Sequence, residues 1–253
     1  ELSGEEVRLR GDEHRHLANV LRMRPGERAV LCTGDGIDIL CEIVSVGKAE
    51  TVLRVLRREK NKCEFGTDIT LFQAVLKGDK TELVIQKAVE LYGDLLFAEQ
   101  RFGGLQERLV EPDVFLIADL VEVHDGAAKT NGKEERYSRI ALEAAKQCGR
   151  SVITSVGIMS YDEVVGSIDE YGTAIFCNER DDTTPILRFL TKHGIKGNVC
   201  IIVGAEGGFS EEEAAELSEK ANSVTLGKRI LRAETASICA LSVMGAFMDL
   251  SDW

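Results

Sequence analysis

No C-x-x-C pair occurs among the seven cysteines, and His14 and His16 are the only histidines close together. A zinc or similar centre needs several thiolate, imidazole or carboxylate ligands at short spacing, so no metal is expected. The cysteines (32, 41, 63, 148, 177, 200 and 239) are odd in number and dispersed in apolar surroundings. They read as reduced core thiols of a cytoplasmic protein, not as a disulfide frame. No secretory segment is visible, although the chain starts at Glu1 without a methionine, so the true N-terminus is expected to lie upstream. The longest nearly apolar stretch, Ile238 to Met248, is too short for a bilayer and is interrupted by Ser242 and Gly245. It is expected as a buried closing helix, with no membrane as partner. Internal repeats and low-complexity tracts are also missing.

What is present suits a soluble globular chain. With 253 residues there is room for one large domain or two smaller ones, and contents of 44% hydrophobic and 29% charged residues are ordinary. The net charge of −12 argues against a nucleic-acid partner at first sight. It is unevenly spread: residues 1–62 hold 12 Lys and Arg against 11 Asp and Glu, the remainder 19 against 32. Local basic patches matter more than the total for phosphate contact, and the acidic remainder could equally be a solubilising surface.

The first segment alternates in short strand-like runs, Val7–Leu9, Ala29–Cys32, Ile37–Val44 and Thr51–Leu56, separated by turn signals at Pro25-Gly26, Gly34-Asp35-Gly36 and Gly47. That rhythm predicts a small β-barrel. One helix is expected inside it, His14 to Arg24, with Leu17, Val20 and Leu21 on a shared face and Arg15, Arg22 and Arg24 outward. Arg54, Arg57, Arg58, Lys60 and Lys62 are expected to form a basic linker. From Asp68 the pattern becomes α/β. A strand is expected over Ile69–Leu76 and a helix over Thr81–Leu91, with Leu83, Ile85, Ala88 and Val89 supplying its apolar positions. A second helix is expected over Lys133–Cys148, then strands at Ser151–Gly157 and Ala174–Cys177, with Phe115–Ala118 read as another. Such alternation implies a mostly parallel sheet flanked by helices, and domains at 1–64 and 68–253.

Two loops near the C-terminus carry the most information. Val199–Val203 reads as a buried strand running into Gly204-Ala205-Glu206-Gly207-Gly208-Phe209, after which Ser210 and Glu213 form a capping box. A strand that ends in glycines before a capped helix lets backbone N–H groups approach a ligand. By itself this could be a plain tight turn. The G-x-x-G-G spacing is not the dinucleotide fingerprint, and no Gly-Lys-Ser/Thr follows to make a phosphate loop. The second loop, Thr225 to Ala236, sets Leu226-Gly227 and Leu231-Arg232 beside Glu234 and Thr235 before another helix.

Together the two loops, above all the run Leu226 to Ala236, closely resemble the paired signatures of the RsmE-type enzymes, which methylate 16S ribosomal RNA at N3 of a uridine. His16 to Gly26, Lys77 to Lys80 with Gln86-Lys87, and Glu143 to Arg150 resemble further positions of that family. The resemblance implies an α/β SPOUT trefoil-knot methyltransferase domain preceded by a PUA-like RNA-binding barrel. It also implies S-adenosylmethionine as cofactor, 16S rRNA in the 30S subunit as partner, and a homodimer with Ile238 to Met248 a candidate for its interface. Cofactor-binding candidates are Val203, Gly204, Glu206, Gly207, Gly208, Leu226, Gly227, Ile230, Leu231, Glu234 and Thr235. Arg232 is the first candidate for the catalytic charge. Glu206 and Glu234 are candidates for orienting ligands or accepting a proton, with caps or loop staples as the alternative. Arg22, Arg24, Lys77 and Arg150 are candidates for RNA contact. A SPOUT enzyme acting on another RNA, an NAD-type oxidoreductase and a non-catalytic RNA-binding module remain alternatives.

Overall fold

The computed structural model describes residues 5–32, 36–62, 64, 66–91, 94–98, 132–152, 154, 156–179 and 183–251, those at 94–98 and 251 by backbone alone. The chain divides into two compact units. The first runs to Glu64 and takes in Gly149–Val152; the second comprises Phe65–Cys148 and Ile153–Trp253. That return of a four-residue segment is not foreseen by a boundary drawn once along the sequence.

In the first unit, β1 (Glu6–Arg10), β2 (Arg28–Cys32), β3 (Ile37–Val46) and β4 (Glu50–Lys60) form an antiparallel sheet ordered β1-β4-β3-β2. Period-two alternation buries Ile39, Cys41 and Ile43 from β3 against Leu53 and Val55 from β4. Arg54, Arg57, Arg58 and Lys60 lie within β4 and do not form a linker. Arg54 and Arg58 reach Glu42 and Glu5 at 2.7 and 2.9 Å, pairs that suit the solvated face of a sheet.

The expected helix is shifted. It starts as α1 (Gly11–Arg15), widens into a π-helical turn over His16–Val20 and stops. Leu21 N–H donates to His16 C=O at 3.0 Å, and Arg22 leaves the helix at φ +54°. The wider turn rotates side chains differently from a 3.6-residue helix, so the expected shared face does not form. Leu17 is buried, whereas Val20 and Leu21 are 67% and 56% exposed. His14 turns inward instead, its Nδ1 2.8 Å from the Thr51 hydroxyl.

The second unit is built on β5 (Ile69–Ala74), α2 (Lys80–Leu91), β6 (Asp94–Ala98), α3 (Lys133–Cys148), β7 (Ile158–Met159), α4 (Tyr161–Ser167), β8 (Thr173–Cys177), β9 (Thr184–Pro185), α5 (Ile186–His193), β10 (Val199–Val203), α6 (Glu211–Lys220), β11 (Asn222–Thr225) and α7 (Ala233–Ser251). Its sheet is parallel throughout and ordered β7-β6-β5-β10-β8-β11-β9. The central β5 and β10 are buried at every position, as strands covered on both faces must be. In α2 the apolar stripe is Val84, Ile85, Ala88 and Val89, while Leu83 is 40% exposed. Among the described residues of 151–157 the expected strand does not form. The N–H groups of Ser151 and Val152 both donate to Glu64 Oε1 at 2.9 Å, so a side chain takes the donors a strand would use, and Val152 alone carries a single β-bridge. The expected strand at Phe115–Ala118 lies outside the described residues.

Helix α7 begins five residues before the expected Ile238. Over Ala233–Leu250, with mean hydropathy 1.3, it is long and apolar enough to cross a membrane by length and composition, which the shorter expected run was not. In this fold Ala240, Leu241, Met244 and Met248 are buried in the core of the second unit, and the helix packs on α2 and β10.

Candidate cofactor site

In a parallel sheet the carboxyl ends of all strands open on one edge, where ligands bind in α/β folds. Here β5, β8, β10 and β11 deliver four loops to that edge. The glycine loop after β10 is held at both ends. Ala205 and Gly208 form an antiparallel bridge, with Gly208 N–H donating to Ala205 C=O at 3.0 Å. Ser210 and Glu213 close the expected capping box of α6: Glu213 N–H donates to Ser210 Oγ at 3.1 Å, and Ser210 N–H to Glu213 Oε2 at 2.7 Å. Phe209 stands edge-on to Phe176 of β8 at 5.8 Å between centroids.

Two glycines in this loop are required by geometry. Gly208 has φ +72°, a left-handed conformation that a side chain strains. At Gly204 a Cβ would sit 3.2 Å from the Gly208 carbonyl carbon and 3.4 Å from Phe209 Cε2. The chain there is packed too closely for any side chain without a shift.

The loop after β11 is pinned by Thr225, whose hydroxyl accepts from Gly227 N–H at 3.3 Å. Leu226 and Leu231 are half-buried, Arg229 and Arg232 are exposed, and Ile230 is 79% exposed. Ala236 N–H donates to Arg232 C=O at 2.8 Å and so starts α7.

Between the two loops lies a cavity of about 210 Å³. Val203, Gly204, Glu206, Gly207 and Gly208 line it from one side and Leu226, Gly227, Ile230 and Leu231 from the other. Glu234 and Thr235, also candidates, are not among its lining residues. The end of β8 adds Cys177, Asn178 and Glu179, and the second loop adds Arg229, none of them foreseen. The signal for the β8 residues was available: a buried strand running out into Asn178-Glu179 belongs on the same edge as its parallel neighbours.

Burial pushes the Cys177 thiol up to about 12, with nearby Cys239 adding to the effect. A thiol that stays protonated is a poor nucleophile. Iodoacetamide at neutral pH is therefore expected to leave Cys177 unmodified in the folded protein while exposed Cys32 is being labelled. Peptide mass spectrometry reads this directly; early alkylation of Cys177 would contradict it.

Beside the cavity, Lys80 at the start of α2 stands 3.4 Å from Glu206 Oε1 and 3.7 Å from Glu234 Oε2. Glu206 also accepts from Lys77 N–H at 3.4 Å. Burial raises the Glu206 carboxyl, but hydrogen bonds from its own and Lys77's backbone N–H and from Lys80 outweigh it, holding the group below its usual range. The stabilisation from these contacts is present at neutral pH and is lost as pH falls through that lowered value. A carboxylate so engaged suits a loop staple better than a proton acceptor.

The RNA candidates separate. Arg22 and Arg24 are exposed in the first unit, and Lys77 is exposed beside Glu206 in the second. Arg22 is the one non-glycine with positive φ among the described residues, and backbone strain of this kind gathers at functional sites. Arg150 is different. Its guanidinium is 9% exposed and donates to Glu64 Oε2 through Nε at 3.1 Å and Nη2 at 2.6 Å. That pairing holds Gly149–Val152 within the first unit and leaves little of the charge for a phosphate.

Residues 112–245 match the family described as an RNA methyltransferase domain, and residues 9–56 match an RNA methyltransferase PUA domain. Ribosomal RNA small subunit methyltransferase E of Mycobacterium bovis is 32% identical over 96% of this chain and 87% of its own length. The protein of the same name from Bacillus subtilis is 29% identical over 96% of this chain and 90% of its own length. The crystal structure of the Neisseria gonorrhoeae enzyme of that name, bound to S-adenosyl methionine, superposes with a TM-score of 0.77 at 26% identity. It covers 96% of this chain and 92% of the other.

Proposed function

The chain belongs to the RNA methyltransferase family of ribosomal RNA small subunit methyltransferase E, and on that premise we propose that it transfers a methyl group from S-adenosylmethionine to N3 of a uridine in 16S ribosomal RNA. We place that activity on the assembled 30S subunit, in the cytoplasm, with the protein acting as a homodimer. The observation that carries the reading is the cavity framed by both signature loops at the carboxyl edge of the parallel sheet.

The cavity fits such a donor. Gly204, where a Cβ would crowd Gly208 and Phe209, keeps the loop tight against the cavity, and Leu226, Ile230 and Leu231 offer apolar wall. When bound, S-adenosylmethionine supplies an electrophilic methyl group. The backbone of the two loops would read the polar edges of the adenine and ribose of a bound donor, while Glu206 and Glu234, bridged by Lys80, fasten the glycine loop beside α7. Arg232 faces the charge that grows on the uracil oxygens as N3 loses its proton. Arg22, Arg24 and Lys77 take backbone phosphates, which position the RNA without reading its sequence.

Mass mapping of 16S rRNA after incubation of undermethylated 30S subunits with the protein and the methyl donor tests the whole reading. One added methyl group on a uridine is expected, and more with assembled subunits than with naked RNA. Methylation elsewhere, or none, would overturn the substrate assignment. Gly204→Ala, whose Cβ would press on the Gly208 carbonyl and Phe209, is expected to weaken binding of S-adenosylhomocysteine by about tenfold, an effect of about 1.4 kcal/mol, and to lower the melting temperature modestly. Calorimetry decides; an unchanged affinity would mean that the conformation of the glycine loop does not set donor binding.

A further inference from the structure

Gln73 is a primary amide near the carboxyl end of β5, a strand buried at all six positions, and its side chain has no exposed surface. Ladder formation does not call for it, because the backbone of β5 is already paired with β10 and β6. An amide taken out of water is costly unless its hydrogens and oxygen find partners. Those of Gln73 find them in the elements that line the cavity. Its Nε2 donates to the carbonyls of Ala74 at 2.9 Å and Gly204 at 3.2 Å, with the Val203 carbonyl at 3.4 Å. Its Oε1 accepts from the hydroxyl of Ser237, which also lies 3.2 Å from the carbonyl of Ala233. Three carbonyls at one end and a hydroxyl at the other fix which way the amide points.

Val203, Gly204, Ala233 and Ala236 line the cavity, whereas Gln73 and Ser237 do not. In a trans peptide the carbonyl and the next N–H point to opposite sides. Holding the Gly204 carbonyl towards Gln73 therefore turns the Ala205 N–H away from it, and Ala205 is itself a lining residue. A peptide that begins at glycine would otherwise rotate with little steric resistance. We propose that Gln73 is a positioning residue of the donor site: through one buried amide it locks the peptide plane after Gly204 and, through Ser237, sets the first turn of α7 against the glycine loop. The proposal rests on the reading of the cavity as a donor site.

Gln73→Met keeps length and volume but removes every hydrogen bond, and Ser237→Ala removes the partner of Oε1 alone. Leu71→Ala, on the same face of the same strand and fully buried, serves as a control that loosens the packing beside the amide while leaving its hydrogen-bond partners in place. Calorimetry with S-adenosylhomocysteine is expected to show about tenfold weaker binding for Gln73→Met, a smaller loss for Ser237→Ala, and a double variant no worse than Gln73→Met. In turnover the KM for the donor should rise more than kcat falls. Amide hydrogen exchange at Ala205 in the ligand-free protein should quicken in Gln73→Met and stay unchanged in Leu71→Ala. Wild-type affinity in Gln73→Met, or a loss equal to that of Leu71→Ala, would overturn the proposal. Should Gln73→Met fail to fold, Ser237→Ala decides by the same affinity measurement. Failure of the unaltered protein to bind S-adenosylhomocysteine would instead strike the functional reading.

Discussion

Glu64→Ala is expected to destabilise the N-terminal unit by about 3–5 kcal/mol, the range seen when one member of a buried ion pair is removed. The carboxylate and the Arg150 guanidinium are 10% and 9% exposed, so neither is well solvated when its partner is lost. Two further donors depend on the same side chain. The N–H groups of Ser151 and Val152 share Oε1, and alanine would leave both without their acceptor. Nearby, Asn61 Nδ2 donates to the carbonyl of Gly149 at 2.9 Å, yet it cannot replace a missing charge. The reverse change, Arg150→Met, should cost less, because the remaining carboxylate keeps two backbone N–H partners and the methionine stem still packs. Urea unfolding reads the difference, with unchanged slope if both variants remain two-state. Shielding from solvent should also make the effect nearly independent of salt, unlike that of exposed pairs such as Arg10–Glu50. A loss below about 1 kcal/mol, within the range of a surface pair, would show that the pair is solvated after all.

Arg150 also shows why part of this molecule resists reading from sequence. The elements that could be read are those written locally. Ser210 and Glu213 are three residues apart, and their capping box is visible in the string of residues. The helix over Lys133–Cys148 and the strand over Val199–Val203 have the observed bounds because periodicity and flanking glycines mark them. The two loops that line the cavity could be recognised because each is contiguous. Long-range pairing leaves no such trace. Arg150 finds Glu64 from 86 positions away, and Gln73 reaches Gly204 and Ser237 across 131 and 164. An isolated arginine in sequence looks like a phosphate contact, and a glutamine in an apolar strand looks like an irregularity. The basic run in β4 misleads for a related reason: strand alternation shows in Thr51–Leu56, but Arg54 meets Glu42 of β3 and Arg58 meets Glu5 only because the pairing register brings them alongside. In α2 the reading failed by one residue, since Leu83 and Val84 are equally apolar and only packing chooses between them.

Arg232→Ala should reduce kcat by about 10²–10³-fold, as removal of one preorganised group facing a developing oxyanion does, while S-adenosylhomocysteine affinity stays within about twofold, a change well under the 1.4 kcal/mol of a tenfold shift. The split follows from placement. Arg232 is exposed and does not line the cavity, but its neighbours Leu231 and Ala233 do, so its side chain leaves the backbone at the rim. Its carbonyl accepts from Ala236 N–H, which anchors that backbone in the first turn of α7, where the helix dipole adds positive potential. The competing cations are less suited. Lys80 has carboxylates of Glu206 and Glu234 within 3.7 Å, so its charge is already balanced. Arg229 lines the cavity, so its loss should appear in donor affinity. The guanidinium of Arg232 forms no ion pair among the described residues. A planar fork can meet a uracil carbonyl oxygen with directed N–H groups as charge moves onto it, which an ammonium does less well. Arg232→Lys should therefore recover only part of the rate. Single-turnover kinetics at saturating donor and RNA isolates the chemical step. Should Arg232→Ala turn over like the unaltered enzyme, or should its defect vanish at saturating donor, the charge that stabilises the deprotonating uracil must come from another residue.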